Sequence, residues 1–447
     1  MNPETPLSSA ARRTGDSPIS DLMQRALATP DLISLAAGFV DHATLPTAAA
    51  AEAAAAILGD EIEGRRALQY GTTRGDLHLR SRLVAHLERD EGVPEGAFAD
   101  VLHRTVVTSG SQQLLYLVAE ALLDPGDIVL VESPTYFVFM GLLQSRGVRT
   151  IGVATDEGGL RLDELQATLE ALKACGELER VKLIYTISEH ANPSGLSLAA
   201  DRRGPLVEMA ERWSRKHRIF ILEDSAYRGL TYEGMEPPSV WRHDRAGKTV
   251  ILARTFSKTF SPGLKTGYGV LPESLVAPVL ALKASHDFGS AHFNQQLLDR
   301  VLADGTYARQ VELLRATYKR KRDAMLAALD EHFGPLDGAV SWTRPEGGLY
   351  VWLTLPEGVD SGRDGALFAH ALERGVIYVP GRYAFADEPV PVPSRHARLT
   401  FGVTGEAGLA EGIRRLSLAL ADSQWDRGRS AKAPASRRAG GPAIVPG

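Results

Sequence analysis

One cysteine, Cys175, is all the thiol chemistry available to this chain of 447 residues. A lone thiol excludes internal disulfides and any metal cluster held by several thiolates, so no metal is expected and a reducing, cytoplasmic location is. Long apolar runs are missing too, which argues against a membrane partner. The first sixteen residues lack the apolar centre of a signal peptide. Neither charge sign dominates. Lys and Arg number 50 and Asp and Glu 55, for a net charge of −5. The basic residues are scattered rather than striped, so no nucleic acid is expected as a partner. Internal repeats are absent.

What is present is enough chain for a large domain and a smaller one. The polar stretch 1–17 reads as a flexible N-terminus. Ile19 to Leu27 reads as a short helix, Leu32 to Ala36 as an extended segment ending at Gly38, and Ala48 to Leu58 as an alanine-rich helix. Together, 18–60 reads as a segment joining the small domain. Across 61–305 short apolar strands alternate with helical stretches, which implies an α/β domain with a mostly parallel sheet and helices on both faces. Val311 to Leu329 is apolar at helical spacing and leads into a smaller α+β domain, 306–421. Beyond it, 422–447 is rich in Arg, Ser, Ala, Pro and Gly and reads as a disordered tail.

The chemistry gathers where strands end. Thr249-Val250-Ile251-Leu252-Ala253 is a buried-strand run that leads into Thr255, Ser257 and Lys258, with Pro262-Gly263 as a breaker and Lys265 beyond. A lysine can form a Schiff base only when it is held near a carbonyl and partly deprotonated. Hydroxyls and a second cation beside it suit an anionic phosphate. Asp224 follows the apolar run Ile219 to Leu222, where an acid is well placed for a ligand, though it also fits a helix cap. Leu183 to Ile187 runs into a turn containing Asn192-Pro193 and Ser194-Gly195. Val106 to Thr108 ends in Ser109-Gly110-Ser111-Gln112, followed by helical apolar spacing. That makes a strand, a tight turn and a helix N-terminus suited to phosphate.

In this order the segments resemble the fold-type-I pyridoxal-phosphate enzymes, specifically the class I/II aminotransferases, from about Ile33 to about Leu420. The matching motifs are Ser109 to Gln112, Pro134-Thr135-Tyr136, Asn192 to Gly195, Asp224 to Tyr227, Thr255 to Lys258 with Pro262 to Lys265, and Arg398. The branch they look most like is that of the aminoadipate and kynurenine aminotransferases. The resemblance implies a large domain with a seven-stranded type of sheet, pyridoxal 5′-phosphate as cofactor, and amino transfer from an α-amino acid to a 2-oxo acid. It also implies a homodimer and a place in amino-acid metabolism and biosynthesis.

The resemblance also assigns roles. Lys258 carries the Schiff base and moves the proton. Asp224 pairs with the pyridine nitrogen, Asn192 and Tyr227 meet the ring hydroxyl, and Tyr136 stacks on the ring. Ser111, Gln112, Thr255, Ser257 and Lys265 hold the phosphate. Tyr70 reaches a partner's phosphate across the dimer interface. Arg398 takes the substrate carboxylate, with Gly38 beside the substrate.

Six positions depart from the pattern. Lys265 replaces an arginine, Ser194 a threonine, Thr255 a serine and Ala226 a residue that is often proline, and His190-Ala191 stands where Phe-Gln is usual. His190 reads as a packed loop histidine or as an extra acid/base, which leaves lyase, decarboxylating or oxidative chemistry as alternatives. A cofactor-sensing regulator of the kind fused to this branch carries a winged-helix module before the enzyme-like part, and only some thirty residues precede Ile33 in this sequence.

Overall fold

A computed structural model describes residues 5–15, 29, 31–336, 338–386, 388 and 392–430. Runs of apolar and β-branched residues become the strands of a central sheet. They are β2 (Thr105–Thr108), β3 (Ile128–Ser133), β4 (Arg149–Asp156), β5 (Gly159–Leu160), β6 (Val181–Thr186), β7 (Phe220–Asp224), β8 (Val250–Thr255) and β9 (Gly267–Val270). The preceding β1 (Ile33–Ser34) lies elsewhere. The spatial order is β2-β9-β8-β7-β6-β3-β4-β5. The run β8, β7, β6, β3, β4 is parallel, while β9 is antiparallel to both β2 and β8. Seven strands have four residues or more, and β5 is a two-residue hairpin return on β4. Strands β2, β7 and β8 bury essentially their whole length, as a sheet covered by helices on both faces requires.

The smaller domain holds an antiparallel sheet built from β10 (Ser341–Trp342), β11 (Tyr350–Thr354), β13 (Val379–Pro380) and β14 (His396–Thr400). Beside it, β1 pairs in parallel with β12 (Val376–Ile377). The helix Thr306–Phe333 links the two domains. It buries Val311, Leu314, Tyr318, Met325 and Leu329 at three- and four-residue spacing. Its core-facing residues pack with Leu35, Tyr350 and Leu399 in the small-domain core.

Three expected boundaries differ. Among the described residues of 18–60, those around β1 join the small domain. The helix Thr47–Gly59 buries Ala53 and Ile57 in the large-domain core with Leu297 and Leu298, because alanine allows close helix packing there. The stretch 1–17 contains the helix Ser9–Arg13, capped by Ser8, and Arg13 Nε donates to Ser145 O at 3.1 Å. The last helix, Glu406–Ser430, runs past the point where the tail was expected to begin. The helix expected over Ile19 to Leu27 falls outside the described residues.

Candidate active site

Every parallel strand from β2 to β3 delivers its carboxyl end to one edge of the sheet, and the chemistry sits in the turns that leave there. From β8 the chain passes through Thr255 and Ser257 to Lys258. Thr255 Oγ1 donates to Ser257 Oγ at 3.0 Å and accepts from Ser257 N at 3.2 Å, which ties the hydroxyls into a tight turn. The half-buried Lys258 donates from Nζ to Gly38 O at 2.7 Å. The turn Pro262–Leu264 then ends in Lys265, held in the left-handed region at φ 49°. A non-glycine residue there carries strain that the surrounding structure must hold.

From β2 the chain turns at Gly110, φ 71°, into the helix Gly110–Leu122. Ser109 N donates to Gln113 Oε1 at 2.8 Å. Gln113 is in turn held by Lys283 Nζ and Asp287 Oδ2. Gly267, at the start of β9, lies directly beneath this turn. A Cβ at Gly267 would meet Arg254 O at 2.5 Å, Gly110 C at 2.8 Å and Ser111 N at 2.9 Å. The first N–H groups of the helix therefore sit over bare backbone.

Asp224 ends β7. Its Oδ2 accepts from Tyr185 OH at 2.9 Å, while Oδ1 is buried with no hydrogen-bond partner among the described residues. Burial pushes its carboxyl up to about 6, opposed by the Tyr185 bond and assisted by the nearby carboxylates Glu189 and Glu223. From β6 the chain enters the loop carrying Asn192. Glu189 anchors that loop by accepting from Arg203 at 2.9 Å and Arg228 at 3.0 Å, and from Ser225 Oγ at 2.7 Å. Burial opposes its ionisation, but the surrounding guanidiniums hold the Glu189 carboxyl far below its ordinary range.

The small domain supplies the far wall. Strands β11 and β14 place Trp352 opposite Arg398 and Tyr350 opposite Thr400. Arg398 donates to Asn192 Oδ1 at 3.0 Å and to Ala36 O at 2.7 Å, and its guanidinium lies over the rings of Tyr350, 4.5 Å, and Phe137, 5.4 Å. Its Nε has no partner among the described residues.

Twelve sequence-selected residues line one cavity of about 310 Å³: Lys258, Ser111, Gln112, Tyr136, Asn192, Asp224, Tyr227, Thr255, Ser257, Lys265, Arg398 and Gly38. Tyr70 does not. It is 82% exposed, with its ring edge-on to Phe288 at 5.6 Å. His190 also stays out of the cavity. Its Nε2 lies 2.7 Å from Thr231 Oγ1, its ring is packed beneath Gly347 and Gly348, and burial pushes it down to about 4. Phe137 and Val138 line both this cavity and a neighbouring groove of about 770 Å³.

Sequence reasoning missed Tyr350, Tyr185 and Glu189. Tyr185 carried a signal, since a hydroxyl in an apolar strand needs a partner. Glu189 carried a weaker one, an acid beside a buried strand. Tyr350 carried none, because its strand gives no hint of which domain it faces.

The residues fit a phosphorylated heteroaromatic ring. Asp224 Oδ1, Gln112 Oε1 and Arg398 Nε are buried without a hydrogen-bond partner among the described residues, and all three residues line the cavity. A lone buried carboxylate oxygen asks for a donor such as a protonated ring nitrogen. Helix N–H groups, paired hydroxyls and Lys265 ask for an anion.

Comparison with known proteins agrees. The sequence model of the family "Aminotransferase class I and II" matches residues 30–416. The chain is 34% identical to aromatic-amino-acid aminotransferase 1 of Thermococcus litoralis, over 87% of this chain and 88% of that one. It is 34% identical to 2-aminoadipate transaminase of Thermus thermophilus, over 88% and 90%. The crystal structure of Pyrococcus horikoshii kynurenine aminotransferase, in complex with PMP, superimposes with a TM-score of 0.83 at 32% identity, covering 93% of this chain and 97% of that one.

Proposed function

Because the chain belongs to the class I and II aminotransferase family and is therefore a pyridoxal-phosphate-dependent aminotransferase, we propose that Lys258 is its Schiff-base lysine and Arg398 its clamp for the substrate α-carboxylate. When bound, pyridoxal phosphate supplies the aldehyde that takes up the amino group and a ring that withdraws electrons from the substrate Cα. The protein does the rest. Asp224 Oδ1 accepts from the ring nitrogen and keeps it protonated. Asn192 and Tyr227 set the ring hydroxyl, and Tyr136 covers a ring face. Ser111, Gln112, Thr255, Ser257 and Lys265 hold the phosphate, with Lys265 acting as a point charge. Arg398 fixes the carboxylate with its planar fork beside Gly38, and Lys258 Nζ removes and returns the Cα proton.

The observation that carries this reading is that Lys258, Asp224 and Arg398 line one cavity, with Asp224 Oδ1 and Arg398 Nε lacking a partner among the described residues. Keeping His190 outside it favours transfer over a redirected reaction. The exposed Tyr70 supports a homodimer in which it completes the partner's phosphate site. The exposed apolar side chains of Ile62, Leu68 and Phe288 point the same way. A cytoplasmic setting suits the exposed free thiol of Cys175. The relatives act, by name, on aromatic amino acids, aminoadipate and kynurenine, and the groove beyond Phe137 and Val138 suits a large side chain of that range.

Lys258→Ala is the test. It should abolish both turnover and the visible absorbance of the covalently bound cofactor while leaving the thermal unfolding profile in place. A variant that still yields a borohydride-reducible adduct sinks the assignment.

A further inference from the structure

Tyr350 occupies a place that none of the assigned roles uses. It is 1% exposed, stands on β11 of the small domain, and lines the cavity that the large domain builds. Its hydroxyl lies 3.3 Å from Tyr227 OH, with the two rings edge to face at 5.8 Å. A Cβ on Gly38 would come within 2.8 Å of that hydroxyl, and Gly38 O is the acceptor for Lys258. The Tyr350 ring face carries the Arg398 guanidinium. One side chain therefore adjoins Tyr227, Gly38 and Arg398 at once.

We infer that Tyr350 is a positioning residue whose hydroxyl, bonded to Tyr227, strengthens the hydrogen bond that Tyr227 offers to the cofactor's ring oxygen. The inference rests on the reading that Tyr227 meets that oxygen. A phenol O–H that accepts a hydrogen bond becomes a better donor, because chained hydrogen bonds polarise one another in a buried site. Tyr350 is suited to be the donor of the pair when Tyr227 turns its proton to the ring. In the structure Tyr227 OH donates to Tyr350 OH, and the bond reverses when Tyr227 turns its proton to the ring; burial pushes the Tyr350 phenol up, while the charges of Arg398 and Lys258 pull it down. Tyr227 is pushed well up by burial and by Tyr350. The other ionisable groups that face the pair are Tyr136 and Tyr318. Tyr318 is itself engaged by Asp41 N at 3.0 Å.

The consequence is spectroscopic. Outside donors to the ring oxygen stabilise its negative charge most when the lysine-bound nitrogen has lost its proton, so each such donor lowers the pH midpoint at which that proton leaves. The midpoint is read in the substrate-free holoenzyme from the absorbance change of the lysine-bound cofactor. Tyr227→Phe should raise it. Tyr350→Phe, which keeps the ring over Arg398 and loses only the hydroxyl, should raise it by a smaller amount, roughly a tenth to a third of the Tyr227→Phe shift, the share that a chained hydrogen bond adds. It should lower kcat with little change in the amino-acid KM. In the Tyr227→Phe background, Tyr350→Phe should add nothing, because its effect passes through Tyr227. An unmoved midpoint in Tyr350→Phe, or an equal shift with and without Tyr227, overturns the inference. An unmoved midpoint in Tyr227→Phe overturns instead the placement of the ring on which it rests.

Discussion

Asp224 is the residue where a functional demand is most visible as a local cost. An acid at a buried strand end keeps one oxygen satisfied by Tyr185 and the other without a partner among the described residues. Because burial raises its pKa to about 6, the folded apoprotein holds a proton that the unfolded chain releases near 3.8. Stability then falls as pH rises through that window and stays reduced above it. Asp224→Asn removes the charge and keeps the acceptor for Tyr185. In cofactor-free protein at pH 7–8 this variant should be more stable than wild type, by about 1–3 kcal/mol. The gain should vanish when unfolding is measured below pH 4, and cofactor affinity should fall at the same time. Equal stabilities at pH 8 would mean that the carboxylate is not strained as described.

At the scale of elements, the phosphate end of the site is a contact between three of them. The C-terminal end of β8, the start of β9 and the N-terminus of the helix Gly110–Leu122 meet at Gly267, which pairs with Thr108 on one side and Thr255 on the other. No side chain fits there, because a Cβ would stand within 3 Å of three backbone atoms. Gly267→Ala must push the Gly110 turn away from Thr255. That overpacking should cost about 1–3 kcal/mol in folding. It should also weaken pyridoxal phosphate binding at least tenfold, read by fluorescence titration of the apoprotein, because the helix N–H groups and the hydroxyls no longer share one centre. A variant that binds the cofactor normally would show that the anion is held elsewhere.

At the scale of the molecule, two domains close the cavity and a second copy of the chain would complete it. Arg398 and Tyr350 come from the small domain, while Lys258 and Asp224 come from the large one. Tyr70, outside the cavity lining in its own chain, is the residue proposed to serve a partner. Mixing inactive Lys258→Ala protein with an impaired Tyr70→Phe protein should restore activity once subunits exchange, up to about a quarter of wild type if pairing is random, since half the dimers then carry one whole site of two. No recovery after demonstrated exchange, or full activity in a protein that sediments as a monomer, would remove the composite site.

The sequence by itself determined what is local. The apolar runs before Lys258, Asp224, Asn192 and Ser109 marked buried strands whose ends gather functional groups, the family resemblance added Tyr136, Gly38 and Arg398, and twelve of the thirteen selected residues line one cavity. The helix over Val311 to Leu329 was legible from its spacing. Tertiary structure decided what depends on long-range packing. Ala48 to Leu58 has an apolar face that would serve either domain, and only the fit of Ala53 and Ile57 against Leu297 and Leu298 assigns it. Strand alternation says that Tyr350 faces one side of β11, but its closeness to Tyr227 spans 123 positions of sequence and arises only when the domains pack together. Glu189 and His190 are adjacent in the chain and have opposite fates. One is held ionised by guanidiniums from distant segments, and the other is kept neutral under two glycines. Charge and burial at a point depend on what the rest of the chain brings there, and no local pattern of residues contains that.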